Sequence, residues 1–221
     1  MTDLLTDASE NRDGAIKHSH KGRPREFDKE KALQAALKVF WEKGYEPATL
    51  PDLCSAMGIN PPSLYRAFGN KSQLFLEALK YYEEKYWAIP SKNFLDNPDI
   101  YKGIEDFFQE AATIILSPQT PCGCMAVVAA VNISAEEKEI IEEITQMRQS
   151  TRNMFINRLR IAIQNGEIPP ASDVPVIANA LNTFLEGMSM QAKGGLFLSE
   201  LQSLAKQAIN FLPVRVALQS Q

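Results

Sequence analysis

The stretch that most constrains this chain is residues 49–71, TLPDLCSAMGINPPSLYRAFGNK. Thr49 caps a helix on which Leu53, Ala56 and Met57 fall at helical spacing. Gly58 follows where a helix ends in a left-handed residue, a conformation glycine reaches without steric cost. Asn60 caps a second helix, and Pro61 fits its first position, where no amide partner is needed. Leu64 and Phe68, four apart, bury one face and leave Ser63, Tyr65 and Arg66 largely free. Two short helices joined at a glycine make a helix-turn-helix, whose second helix enters the DNA major groove amino end first.

The run over residues 58–74, GINPPSLYRAFGNKSQL, closely resembles the tetracycline-repressor (TetR) family, with its small residue, Leu, Tyr, Phe and Lys in register. The resemblance covers residues 26–86. It implies that Thr49, Tyr65 and Lys71 contact phosphates and that Pro61, Pro62 and Ser63 face base edges. Two consecutive prolines depart from the family pattern: neither offers a donor, so readout there is expected through apolar contact or shape.

An acidic body carries a basic head. Residues 17–71 hold ten Lys or Arg and six Asp or Glu, a local balance of +4 in a chain of net −4. That asymmetry suits a DNA-binding module on a regulatory domain. At 221 residues and 45% hydrophobic, the chain can bury a substantial core. No apolar run approaches the roughly 20 residues of a membrane span. The amino terminus is polar and acidic, unlike a targeting peptide, and three cysteines make no disulfide framework, so a cytoplasmic location is expected.

Read in order, the chain is all-α, a three-helix head followed by a helical ligand-binding and dimerisation domain. Residues 1–25 are expected to form a flexible arm whose Arg23 and Arg25, with Lys21, reach phosphates or a narrow minor groove; a solvated tail is the alternative. The head spans 26–86, with its helix-turn-helix at about 49–68. Asp28 starts its first helix and Gly44 ends it. Asn70 and Gln73 form a capping box for a long helix through Tyr86. Pro90 marks residues 88–97 as a break and domain boundary. A second domain over 92–213 holds a helix from Asn97-Pro98 and a short buried helix at about 122–131. A long helix opened by a Ser134/Glu137 capping box follows, then a closing pair, with 214–221 a tail.

The resemblance implies that the closing pair dimerises, through Phe184, Gly187, Met188, Leu201, Leu204 and Ala208, and that the second domain encloses a small-molecule inducer. Candidate lining residues are Phe107, Phe108, Ile115, Met125, Met147, Phe155, Phe184 and Met188, although such stripes also describe a plain core. Cys122 and Cys124 stand open between a thiol sensor activated by a helix amino end and two small buried side chains. Some TetR relatives carry a comparable Gly-Cys pair, here Gly123-Cys124, and are induced by cysteine modification. No metal, cofactor or catalytic constellation is expected, because the histidines lie in the amino-terminal tail and no phosphate loop or paired-carboxylate pattern occurs. The competing classes are a helical thiol-redox protein using Cys122 and Cys124, and a protein-binding adaptor on the same fold. The function expected is a homodimeric regulator, a repressor by family analogy, released from double-stranded palindromic operator DNA by a small molecule or an electrophile.

Overall fold

The computed structural model describes residues 27–129, 131 and 133–215; the arm with Arg23 and Arg25, and residues 216–221, lie outside the described residues. Among these residues the elements are all helical. The head comprises α1 (Lys29–Lys43), α2 (Leu50–Met57) and α3 (Pro61–Phe68). Each is bounded by local chemistry. The Asp28 carboxylate accepts the N–H groups of Glu30 and Lys31, and Gly58 (φ 64°) turns the chain left-handed between α2 and α3.

Next comes α4 (Lys71–Tyr82), where Gln73 N–H donates to Asn70 Oδ1 at 2.8 Å and Asn70 N–H returns a bond to Gln73. The break expected after Tyr86 does not occur. Residues Glu83–Trp87 form a π-helical turn, in which Ala88 N–H donates five residues back to the Glu83 carbonyl, and α5 (Ala88–Asp96) continues the rod. The widened turn lies where the Pro90 ring would otherwise press on the carbonyl of Tyr86, so the proline is absorbed rather than breaking the helix.

The remaining helices are α6 (Ile100–Ile115), capped by Asp99, then α7 (Met125–Val128), α8 (Lys138–Gln164), α9 (Val174–Lys193) and α10 (Leu198–Ala205), the last tightening to a 3-10 turn at Lys206–Phe211. Helix α7 is shorter than expected, because Gly123 (φ 90°) holds the loop before it in a left-handed conformation. A Cβ there would fall 2.7 Å from Val128 Cγ1. The Ser134/Glu137 capping box is also not formed. Glu137 N–H donates to the Ser134 carbonyl, while the Glu137 carboxylate accepts from Tyr45 Oη at 2.7 Å and Ser72 Oγ at 3.0 Å in the head. A tertiary partner has displaced the local one.

Two cores result. One joins α1–α4 to α7 and the first turns of α8, through Phe40, Trp41, Phe75, Met125, Ile140 and Ile144. The head therefore shares its interior with the regulatory half, and Trp41 Nε1 donates across that seam to the Gly123 carbonyl at 2.8 Å. The other core lies among α5, α6, α9, α10 and the far half of α8, around Phe94, Phe107, Phe108, Phe155 and Leu181. At its edge Arg158, 1% exposed, meets Glu167 with both Nη atoms (3.1 and 2.9 Å) and donates to the Asn97 carbonyl at 2.8 Å.

Candidate nucleic-acid interface and regulatory cavity

Helix α3 is anchored by Leu64 and Phe68, buried at 0% and 2% exposure, and its other side is open among the described residues. Pro61, Pro62, Tyr65 and Arg66 stand exposed there, and Ser63 is half-buried. The tip of this helix carries no free backbone donor: the prolines have no N–H, and Ser63 N–H donates to Asn60 Oδ1 at 3.0 Å. The anion-attracting amides usual at a helix start are thus absent, leaving rings and one hydroxyl to meet whatever lies in front.

The flanking residues are present but engaged. Thr49 is exposed, yet its hydroxyl donates to Asp52 Oδ2 at 2.7 Å and its N–H to the same oxygen at 3.1 Å. Lys43 Nζ pairs with Asp52 Oδ1 at 2.9 Å. The Lys43 contact, then the Thr49 ones, bring the Asp52 carboxyl down to about 2. Lys71 Nζ sits 4.4 Å from the Tyr45 ring centroid and donates to the Glu46 carbonyl at 3.2 Å. Burial draws the Lys71 ammonium below its ordinary range, opposed in part by Glu46 and Glu137. Thr49 and Lys71 therefore flank α3 from its two neighbouring helices. Tyr65 and Arg66 project freely; Thr49 and Lys71 must give up internal bonds to reach a phosphate.

A cavity of 460 Å³ opens where α4 and the π turn meet α6, α7, α8 and α9. Of the residues expected to line it, Phe107 and Met147 do, and Cys124 joins them. Phe108, Ile115, Met125 and Phe155 show no exposed surface, and Met188 is buried at 2%; these are core. Phe184 packs on Phe108 and Phe211 instead. The sequence reading missed Tyr82, Trp87, Arg148 and Leu185 on the cavity wall. Tyr82 and Trp87 are five residues apart, a spacing that shares a face only across a π turn. Among the described residues, Tyr82 Oη, Trp87 Nε1 and Arg148 Nε are buried without a hydrogen-bond partner.

The thiols are shifted away from the thiolate form that a sensor activated by a helix amino end calls for. Burial pushes Cys124 up, and the Tyr82 hydroxyl, the Ala126 and Val127 amides and Arg148 draw it back only in part. Cys122 is raised by burial too, with Lys193 opposing, and Cys54 lies in the first core. The amino end of a four-residue helix is outweighed by desolvation.

Of the residues expected to dimerise, Met188, Leu201 and Ala208 lie inside the protomer core, whereas Gly187 and Leu204 are exposed. Gly187 belongs to a stripe along α9 made of Val176, Ala180, Thr183, Gly187 and Met190, in which Val176 and Met190 are 60% and 50% exposed.

Comparison with known proteins bears on both sites. A model described as bacterial regulatory proteins of the tetR family matches residues 32–78, and one described as tetracyclin repressor-like, C-terminal domain, matches 102–195. The HTH-type transcriptional repressor ComR of Escherichia coli is 32% identical over 197 residues, covering 87% of this chain and 92% of its own. BdcR, a repressor of the same organism, is 27% identical over 188 residues, covering 85% of this chain and 90% of its own. A cysteine-substituted variant of the regulator CifR, solved with 26-base-pair double-strand operator DNA, superposes with a TM-score of 0.83 at 34% identity, covering 86% of this chain and all of its own. Head, helix-turn-helix and carboxy-terminal helical domain are matched together, and on that basis the chain belongs to the TetR family of DNA-binding transcriptional regulators.

Proposed function

We propose that this protein is a homodimeric repressor that reads a palindromic operator and releases it when a small molecule fills the 460 Å³ cavity. The observation that carries the reading is the face of α3 left open among the described residues, anchored on one side by Leu64 and Phe68 and presenting Pro61, Pro62, Ser63, Tyr65 and Arg66. In this reading Tyr65, Thr49 and Lys71 clamp phosphates and Arg23 and Arg25 tether the arm. Ser63, the two prolines and Arg66 face the groove. The similarity to ComR and BdcR, both named repressors, and to CifR held on operator DNA supports it. Dimerisation runs through the exposed α9 stripe with Leu204, since a symmetric pair of helix-turn-helix heads reads half-sites one DNA turn apart. In this reading the protein acts in the cytoplasm, where its operator lies. The same reading has the inducer held without a covalent bond in preference to an electrophile, because burial shifts Cys122 and Cys124 away from the thiolate.

The test is a gel shift on the DNA upstream of the protein's own gene, followed by a salt titration. Tyr65→Ala and Lys71→Ala should weaken binding to all sequences alike, and Lys71→Ala should reduce the slope of log affinity against log salt by about 0.9. A change confined to sequence preference would remove the phosphate role.

A further inference from the structure

We infer that the cavity takes an apolar molecule bearing a carbonyl-type oxygen, held as a hydrogen-bond acceptor by Tyr82, Trp87 and Arg148. The inference rests on the cavity being the inducer site. Three buried polar atoms on its wall meet no partner in hydrogen-bonding geometry among the described residues: Tyr82 Oη, whose nearest polar neighbours are Trp87, the Cys124 thiol and the Met125 amide, Trp87 Nε1 itself, and Arg148 Nε. An indole N–H and a guanidinium N–H can only donate, and a phenol hydroxyl donates readily. Tyr82 has no exposed surface, so its hydroxyl is cut off from bulk water. Unpaired donors on one wall ask for an oxygen lone pair, and an amine headgroup would add donors where there are already too many.

The rest of the wall fits such a molecule. Phe107, Met147, Met154 and Leu185 line the cavity with apolar surface. The carboxylates that also border it are elsewhere engaged or outward: Glu83 and Glu84 are exposed, and Glu186 Oε1 accepts from Asn182 at 3.1 Å. Arg148 is steadied by donating through Nη2 to the Ala126 carbonyl at 3.3 Å, which leaves its Nε for the ligand. Glu186 Oε1 forms an ion pair with that Nε at 3.9 Å, too long for a hydrogen bond, so the N–H itself stays without an acceptor.

The structure contains its own reporter. Of two tryptophans, Trp41 already donates to Gly123, and Trp87 is on the cavity wall. Full-length protein is titrated with decanoate, 2-undecanone and decylamine while tryptophan fluorescence is followed; the same ligands are titrated calorimetrically into Trp87→Phe, Tyr82→Phe and Arg148→Gln. Saturable binding of either oxygen-bearing probe, at least about tenfold tighter than decylamine, is expected. Tyr82→Phe and Arg148→Gln should each weaken it by about fivefold or more. Binding of decanoate alone assigns a carboxylate that uses the Arg148 charge; binding of 2-undecanone as well shows that a neutral carbonyl suffices. Decylamine binding equally, neither oxygen probe binding, or both variants retaining wild-type affinity overturns the inference. Arg148→Gln guards against a Tyr82→Phe protein that does not fold. Retardation of upstream DNA by the wild-type protein, measured alongside, tests the regulator reading separately.

Discussion

Phe155 has no exposed surface and lies 5.6 Å from Phe94, 5.5 Å from Phe107 and 6.1 Å from Phe108 between ring centroids. Each of those rings fixes another element, α5 or α6, against α8. Truncation would leave a void bounded on several sides that cannot collapse. Phe155→Ala is therefore expected to cost about 3–5 kcal/mol in urea unfolding, with operator affinity of the folded fraction unchanged. Unchanged stability with altered inducer response would instead return Phe155 to the cavity wall. At this scale the sequence is ambiguous for a physical reason: Phe107 lines the cavity and Phe108, one residue on, is core. Aromatic side chains at helical spacing look alike until the packing of the facing helix decides which of them meets a void.

Among elements, the starts and stops that depend on neighbouring residues were legible and those that depend on distant ones were not. Asp28, Thr49, Asn60, Asn70, Gly44 and Gly58 all bound helices where local chemistry put them. Pro90 and Glu137 did not, because a π turn took up one and the head's Tyr45 and Ser72 took the other. The cap of α2 gives a pH-dependent test. Asp52 is held near 2 against an ordinary 3.8, first by Lys43 and then by Thr49. A lowered carboxylate favours the fold at neutral pH, and the contribution fades as pH falls from about 4 through about 2. A carboxyl titration by NMR should put the Asp52 midpoint near 2, and Lys43→Ala should move it back toward 3.8. A midpoint indifferent to Lys43 would mean that the ion pair does not persist in solution.

For the whole molecule, Gly187 is the position that tests the proposed pairing of protomers. A Cβ placed on it has nothing within 4 Å, so a side chain can start there without a clash in an isolated protomer, and Gly187→Leu gains helix propensity of about 1 kcal/mol. At a seam where two α9 helices approach, the same side chain keeps them apart. Sedimentation should show monomer with undiminished helix content, and affinity for a palindrome should fall by about 100-fold as the two heads lose their linkage. A variant that stays dimeric would place the seam elsewhere. The rod that begins at Lys71 and reaches the cavity at Tyr82 is also a lever. Its eleven residue steps span about 16 Å, so a tilt of about 5° at the cavity end swings the other end by roughly 1.4 Å. That swing would carry the phosphate contact proposed for Lys71, at about 2.9 Å, out of hydrogen-bonding range. In a symmetric pair both ends swing, and the mismatch doubles to about 3 Å against a fixed DNA step of about 34 Å. On the proposed reading, a guest that shifts Tyr82 only slightly is thus read at the operator with gain.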